Sequence, residues 1–240
     1  IQDIAKARAL RTLVGELEGP DFAVILQPRG GLDYFSSDLE KARAQLAAVT
    51  MLMDDIEPDN PASPQIIHVV SYSEGVRLAD PEVVEESVQI TRHALKEYRR
   101  LKKKGDMPEY GKSAMVEART RSLLKEAKSM IKFIEATIPN TYSPRGFYSM
   151  LRSGVFPLPW LIACKDEFEA AVNQPVQFLH GGVHVVDREG KPLSVSQRLF
   201  GIARNLEDIG FAPSITHSAD SSWLASGSGG GQKEQYGEKH

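Results

Sequence analysis

The stretch VVSYSEGVRLADPEVVEES, Val69–Ser87, indicates the fold class more directly than any other part of the sequence. An apolar run ends in a small polar cluster that holds one carboxylate, Glu74, and a helical pattern then begins at Asp80–Pro81. Aspartate at the N-cap and proline at the first helical position are a preferred start of an α-helix. The stretch therefore predicts a strand, a loop and a helix in that order.

The same order occurs once earlier in the chain. FAVILQ (Phe22–Gln27) and IIHVVS (Ile66–Ser71) are short apolar runs, and each is followed by a polar loop and a helical pattern. Such runs predict buried parallel strands with helices outside the sheet. The loops after parallel strands lie together at one edge, where ligands bind. We therefore expect Tyr72 and Glu74 to lie beside the Arg29–Leu32 loop.

The second half of the chain does not continue this alternation. It contains helical patterns, a proline-rich segment VFPLPWL that excludes a regular central strand, and a hairpin-turn signal at Arg188–Lys191. From about Ala212 the sequence is rich in Ser and Gly, which predicts a flexible tail. We expect the last βα units of a barrel in residues 1–105, an α+β extension in residues 106–211 and the tail in residues 212–240.

Composition limits the classes of function. The chain has 240 residues and a formal net charge of -3, so we expect no nucleic-acid partner and no membrane partner. The basic run YRRLKKKG fits a solvated helix C-terminus better than an RNA site. The single cysteine, Cys164, excludes an internal disulfide, and we expect it to be a small buried residue. No stretch is long enough to span a bilayer, and the cytoplasm is the expected compartment.

Few residues are candidates for chemistry. The two glycines of Arg29–Leu32 fit close approach to a cofactor or anion as well as they fit an ordinary turn. Glu74 fits a hydroxyl acceptor, an acid–base group or a solvated loop residue, whereas His68, inside an apolar run, fits a core histidine. His180 and His184 have no acidic or cysteine partner nearby, so no metal site is predicted. The sequence also lacks the Asp-x-His-x-x-Gly motif of modules that ligate cobalt through histidine.

The order of the segments resembles the C-terminal half of the epsilon subunit of glutamate mutase, also called methylaspartate mutase. The resemblance covers roughly residues 1–210 and includes IQDIAKARALRTLVGELE, GGL, LEKARAQLAAVTMLM, SGVFPLPWL and GGVHVVDREGKPL besides the opening stretch. It implies an α/β fold: the C-terminal part of a (β/α)8 barrel of the TIM type, followed by an α+β extension. It implies an isomerase that interconverts glutamate and 3-methylaspartate by a radical rearrangement with adenosylcobalamin.

The resemblance also implies site residues. Glu74 matches the family's carboxylate that hydrogen-bonds the adenosyl ribose, and Leu78 matches an apolar contact to the cofactor. Leu32 stands where the family usually has an aromatic contact, and Val70 stands where the family has a lysine. The missing lysine weakens the expected ribose site, for which Tyr72 or Arg77 could compensate. No residue of this chain is assigned a catalytic role.

The resemblance further implies partners. The cobalt ligand is expected from a separate cobalamin-binding small subunit, and the arginines that hold a small amino-acid substrate belong to an N-terminal barrel half. Because Ile1 begins within an amphipathic helical pattern, we expect this chain to be the downstream part of something longer, or half of an assembly, inactive alone. Two alternatives are a non-catalytic assembly module derived from that barrel and an unrelated barrel lyase or aldolase. The latter would need a lysine at a strand C-terminus, and none is evident.

Overall fold

A computed structural model describes residues 1–210, so the predicted tail lies outside the described residues. Within these residues the protein is mixed α/β and mostly helical, and its regular sheet is one antiparallel pair of short strands. The helices are α1 (Gln2–Gly15), α2 (Leu39–Asp54), α3 (Pro81–Lys104), α4 (Ala114–Thr137), α5 (Pro144–Arg152), α6 (Glu169–Val172) and α7 (Val195–Asp208). The strands are β1 (Val176–Leu179) and β2 (Gly182–Val185). Short 3-10 helices cover Leu32–Tyr34, Tyr110–Lys112 and Pro159–Cys164.

The chain divides into two compact units, Ile1–Lys125 and Glu126–His240, and the described part of each contains its own hydrophobic core. The division falls inside α4, about twenty residues beyond the domain boundary expected after Gly105.

The predicted helix after Asp80 is confirmed as α3, and local sequence sets both of its ends. Asp80 Oδ1 accepts a hydrogen bond from the backbone nitrogen of Val83 at 2.9 Å, and Pro81 occupies the first helical position. At the other end Gly105 has a φ of 78°, in the left-handed region that glycine adopts without steric cost.

The core of the first unit lies between α2 and α3. Ala42 and Leu46 of α2 are buried together with Val83 of α3 and with Tyr72, which precedes α3. Burying a large apolar side chain of this kind stabilises a fold by about 1.5–3 kcal/mol. Asp38 begins α2 by accepting a hydrogen bond from the backbone nitrogen of Glu40 at 3.1 Å.

The two predicted buried strands of the first unit are not buried strands. Residues 22–27 and 66–71 form no regular strand, and a single parallel bridge joins Arg29, just after the first segment, to His68 in the second. The backbone nitrogens of Ile66 and His68 donate to the carbonyl oxygens of Leu26 and Pro28 at 3.4 Å and 3.1 Å. The parallel direction agrees with the prediction, although no regular ladder forms.

Burial explains the difference. Phe22, Ile25 and Ile66 have relative exposures of 48%, 61% and 46%. Val24 and Leu26, on either side of Ile25, are half-buried. Their alternation shows that the described residues cover one face of these segments and leave the other open. His68, predicted as a core histidine, is exposed for the same reason. An apolar run indicates that both faces favour burial, but it does not show which elements cover them.

A buried charge network joins the C-terminal ends of α2 and α3. Asp54 and Asp55 are buried, and Lys102 Nζ lies 2.7 Å and 3.0 Å from their carboxylate oxygens. Arg99 Nε lies 2.7 Å from Asp54 Oδ1, and the Tyr98 hydroxyl donates to Asp55 Oδ2 at 2.6 Å. Buried carboxylates are tolerated only when they are paired and hydrogen-bonded. The basic run therefore fixes the C-terminal ends of both helices. It was expected to be solvated, and this is wrong for Lys102, whose side chain is only 14% exposed.

The same network holds α1. Arg8 donates from Nε to the Ile56 carbonyl at 2.6 Å and from Nη2 to the Asp55 carbonyl at 2.8 Å, and Nη1 contacts Glu117. One guanidinium therefore ties α1 to the end of α2 and to the start of α4.

The core of the second unit is built by three helices and the turn after α5. Met150 of α5 and Val155 are buried against side chains of α4, of the residue after it and of α7; these are Phe133, Ile134, Ile138, Leu199, Ile202 and Leu206. α5 ends as predicted before Gly154, which has a φ of 76°, and α7 is followed by Gly210 with a φ of 85°. A capping box between Ser194 and Gln197 begins α7.

The hairpin in the second unit differs in detail from the prediction. β1 and β2 pair antiparallel, and their turn is at His180 and Gly181, both with positive φ. The predicted turn at Arg188–Lys191 also forms, since the backbone nitrogen of Asp187 donates to the Lys191 carbonyl at 2.9 Å, but it follows β2. The hairpin turn at His180 and Gly181 was therefore not predicted, and the predicted turn closes the segment after β2.

The proline-rich segment forms a 3-10 helix at Pro159–Cys164, which agrees with the exclusion of a strand there. Cys164 was expected to be buried, and this is wrong because Cys164 is exposed on that short helix. Along residues 1–210, no helix combines the length and the apolar character needed to cross a bilayer.

Gly111 provides a test of the network around Asp55. Its backbone nitrogen donates to Asp55 Oδ2 at 3.3 Å, and a Cβ added to Gly111 would lie 2.6 Å from the Asp55 carbonyl oxygen. We expect Gly111→Ala to lower the free energy of unfolding by about 1–3 kcal/mol, measured by urea denaturation, because the backbone must shift to admit the methyl group. Gly19→Ala is the control, since nothing lies within 4 Å of a Cβ added there. Equal stability of the two variants would contradict this packing.

Candidate functional site

Two loops of the first unit lie side by side, as the sequence predicts. One loop contains Gly31 and the short helix Leu32–Tyr34, and the other runs from Ser71 to Asp80. A Cβ added to Gly75 would lie 3.3 Å from the Leu32 carbonyl oxygen and 3.7 Å from Phe35 Cβ. The two loops therefore touch, and they follow the two extended segments that meet in parallel.

The second loop is a compact hydrogen-bonded turn. The backbone nitrogen of Glu74 donates to the Ser71 carbonyl at 3.0 Å, and those of Val76 and Arg77 donate to the Ser73 carbonyl at 2.9 Å. These bonds give the loop a defined shape without regular secondary structure. Its side chains are consequently presented from a fixed backbone, which lowers the entropic cost of binding a ligand.

Glu74 is exposed on this turn, and one of its carboxylate oxygens is used internally. Glu74 Oε1 accepts a hydrogen bond from the backbone nitrogen of Ser71 at 3.1 Å. This bond orients the carboxylate and leaves Oε2 without a hydrogen-bond partner in the described part of the chain. The Ser73 hydroxyl next to it is buried and also has no partner among residues 1–210.

Leu78 is 92% exposed, more than any other large apolar side chain of residues 1–210. The loop around it is held by Arg77, whose Nη1 lies 2.8 Å from Asp80 Oδ2. The hydrogen bond from Arg77, followed by that from the Val83 backbone, holds the pKa of Asp80 below its ordinary value. An exposed apolar side chain therefore lies on the same loop as Glu74, and the end of this loop is anchored at the start of α3.

The remaining predicted site residues are placed differently. Leu32 is half-buried in the adjoining loop. Val70 is only 4% exposed, so its side chain belongs to the interior and does not reach the open surface with Glu74 and Leu78. The structure therefore brings Glu74, Leu78 and Leu32 to neighbouring loops and places Val70 beneath them.

Tyr72 was expected at the ligand edge, and the structure instead places its side chain in the core. Its ring is buried beneath the Arg43 guanidinium, whose Cζ lies 4.4 Å from the ring centroid, and its hydroxyl contacts Glu86. Arg43 also donates to the Tyr72 hydroxyl at 2.9 Å and to Glu86 Oε1 at 2.8 Å. The hydrogen bond to Glu86, with burial second, raises the pKa of Tyr72. Tyr72 therefore joins α2 to α3, and its side chain does not face the open surface where a ligand contact was expected.

The sequence reasoning missed Arg43 and Glu86. Arg43 follows the buried Ala42 of α2, and Glu86 precedes the buried Ser87 of α3. Both residues therefore lie at the border of the buried face of their helix. Opposite charges at such border positions of two neighbouring helices are the signal that could have identified the pair.

A shallow groove of about 640 Å³ runs along α2 and α3 and is lined by Ala47, Met51, Gln89, His93 and Glu97, among others. Glu74, Leu78 and Leu32 do not line it. Among residues 1–210, no group of three or more His, Cys, Asp or Glu side chains is placed to hold a metal ion. The chemistry of the candidate site is therefore that of one oriented carboxylate beside an exposed apolar side chain.

Comparison of the chain with protein-family models, with curated proteins and with solved structures finds no match in any of the three.

The Glu86 carboxylate offers a test of the contacts that position the loops. The hydrogen bond from Arg43, followed by that from Tyr72, lowers the pKa of Glu86. A lowered pKa means that this contribution to stability is present above the ordinary glutamate pKa of about 4.3 and is lost as the pH falls through the folded value. We expect Glu86→Gln to be less stable than the parent at neutral pH, with the gap closing on acidification, as measured by urea unfolding at a series of pH values.

The matched control is Glu85→Gln, which alters an exposed carboxylate of the same helix. It should leave only a small gap at every pH. A gap for Glu86→Gln that does not change with pH would contradict a role of its charge.

Proposed function

We propose that this chain is a component of an adenosylcobalamin-dependent carbon-skeleton mutase that acts on glutamate or a related small amino acid. The observation that carries the proposal is Glu74. Its carboxylate is exposed, oriented by the Ser71 backbone and free at Oε2 on a loop that begins where one of two parallel segments ends. A carboxylate in this position can accept hydrogen bonds from the two neighbouring hydroxyl groups of a ribose.

The neighbouring side chains support an adenosyl ligand. Leu78 offers an apolar surface beside Glu74, and Leu32 lies on the adjoining loop. A vicinal diol next to a flat apolar base matches a carboxylate next to an apolar side chain. Val70 does not fit a direct contact because it is buried, so Glu74 and Leu78 would hold the adenosyl group with less help than the family's pattern provides.

The frame around the site is compatible with a barrel. Two extended segments run parallel, a helix follows each, and the loops after both segments touch. In barrels of this type the loops at the C-terminal ends of the strands form the active site. We propose that the first unit supplies the last βα units of a (β/α)8 barrel and that a complementary barrel half supplies the rest.

The division of labour follows from the groups present. When bound, adenosylcobalamin would supply the radical chemistry, with its cobalt ligated by a residue of a cobalamin-binding small subunit. The residues of this chain would bind and orient the ribose, and the Leu78 side chain would help to exclude water from it. The substrate's carboxylates would be held by the complementary half.

A second candidate function is a non-catalytic assembly module with the same barrel ancestry. The exposed apolar side chains of Phe22, Ile25 and Ile66 favour it, since a partner that covered the two extended segments would bury them. The two candidates differ in one property: only the first requires recognition of the adenosyl group.

The test is binding of 5′-deoxyadenosine and of its analogue that lacks both ribose hydroxyls, measured by isothermal titration calorimetry with the purified chain. We expect the diol to bind more tightly, because the analogue lacks the two ribose hydroxyls that would donate to Glu74. Glu74→Gln should weaken binding of 5′-deoxyadenosine by about tenfold, which corresponds to losing about 1.4 kcal/mol from a charge-assisted hydrogen bond.

Glu82→Gln is the control, since Glu82 is an exposed carboxylate at the start of α3, close in sequence to the same loop. It should leave binding unchanged. Equal binding of the two nucleosides, or no loss in Glu74→Gln, would rule out the ribose role and leave the assembly module as the better account.

A further inference from the structure

The second unit contains a small cleft that the loops of the first unit do not involve. It has a volume of about 130 Å³ and lies between the first turns of α7, the end of β2 and the turn after α5. A single water molecule needs only about 10–15 Å³ of such space, so the cleft can hold a small organic molecule. Apolar side chains form much of its wall: Pro175, Val185, Val186, Leu193 and Ile202.

One cation lines this cleft. The guanidinium of Arg198 donates from Nη2 to the Val155 carbonyl at 3.2 Å, and its Nε is buried with no hydrogen-bond partner among residues 1–210. No carboxylate oxygen of the described residues lies within 4.0 Å of this guanidinium. Burial lowers the pKa of Arg198, and attraction by Glu126 offsets this only in part. A buried arginine normally has an anionic partner.

The position of Arg198 on its helix adds to the free-energy cost of burying its charge. Arg198 is the fourth residue of α7, where the backbone dipole favours negative charge and disfavours positive charge. One anion bound at the guanidinium would offset both the partial burial of this charge and its unfavourable place at the start of the helix. Gln197, whose Oε1 accepts from Ser194, leaves an amide nitrogen at the same cleft as a second donor.

A structural role explains part of this arrangement. Three successive carbonyls after α5 accept from side chains that line the cleft: Asn205 donates to Ser153, Gln174 to Gly154 and Arg198 to Val155. Arg198 is the only one of the three donors that carries a charge, and an amide would satisfy the Val155 carbonyl without the cost of burying it. The charge therefore requires a further explanation.

We infer that this cleft binds a small organic carboxylate, with the Arg198 guanidinium on the carboxylate group and the apolar wall on a short hydrocarbon body. Arginine presents parallel N–H groups that match a carboxylate. The apolar wall favours an organic acid over an inorganic anion. Both would lose bound water on entering the cleft, but only the organic acid would also bury apolar surface. The volume of the cleft excludes a nucleotide.

The test uses the full chain and follows the Nε–H resonance of Arg198 by proton–nitrogen NMR, assigned with Arg198→Lys. We expect sodium butyrate to move this resonance saturably in the millimolar range. Butyramide, which has the same shape and no charge, should not move it. The absence of a saturable shift, an equal shift with butyramide, or saturation by sodium phosphate but not by butyrate would overturn the assignment.

A second measurement does not depend on NMR assignment. Butyrate should raise the thermal unfolding midpoint of the parent chain, because a ligand that binds only the folded state stabilises it. In Arg198→Gln the apparent dissociation constant should rise by at least about tenfold, as expected for loss of a charge-assisted contact. Arg204→Gln, which alters an exposed arginine of the same helix, should respond as the parent does. An unchanged response in Arg198→Gln would also overturn the assignment.

Discussion

The pairing of α2 with α3 is the constraint on which the candidate site depends. Polar networks hold the two helices together near both ends: Arg43, Tyr72 and Glu86 near their starts, and Asp54, Asp55 and Lys102 near their C-terminal ends. The loops with Leu32 and Glu74 lead directly into these helices, so fixing the helices also fixes the loops. Because the buried carboxylates of Asp54 and Asp55 must be paired, the second network tolerates few alternative packings of the two helices.

Sequence predicted the elements of this protein better than it predicted their surroundings. The start of α3 follows from Asp80 and Pro81 and its end from Gly105, because capping and backbone preferences act over a few residues. The contact between the two loops also follows from the order of segments. By contrast, the burial of FAVILQ and IIHVVS depends on which other elements cover them. A periodic pattern contains no information about that cover, and His68 was misplaced for the same reason.

Tyr72 shows a different limit of sequence reasoning. Its place after an apolar run predicted a ligand contact, and so did that of Glu74 two residues later. Side chains alternate along an extended segment, but the turn that begins at Ser71 breaks this alternation, so Tyr72 points into the helical layer and Glu74 is exposed. The deciding partners, Arg43 and Glu86, are 29 and 14 residues away from Tyr72 in sequence. Such long-range pairs could be found only by considering both helix borders together.

Glu74 and Arg198 carry opposite charges, and each is only partly paired within the fold. Glu74 is a carboxylate oriented by one hydrogen bond and open on its other oxygen, so its remaining capacity is for hydroxyl or N–H donors. Arg198 is a partly buried guanidinium that donates from Nη2 to a neutral carbonyl, so its positive charge can still accept an anionic partner. In both cases the internal bond uses only part of the group. A residue with a purely structural role, such as Asp55 with its contacts to Tyr98, Lys102 and Gly111, has its capacity filled within the fold. Glu74 and Arg198 differ from Asp55 in this respect, and both combine the unfilled capacity with a charge.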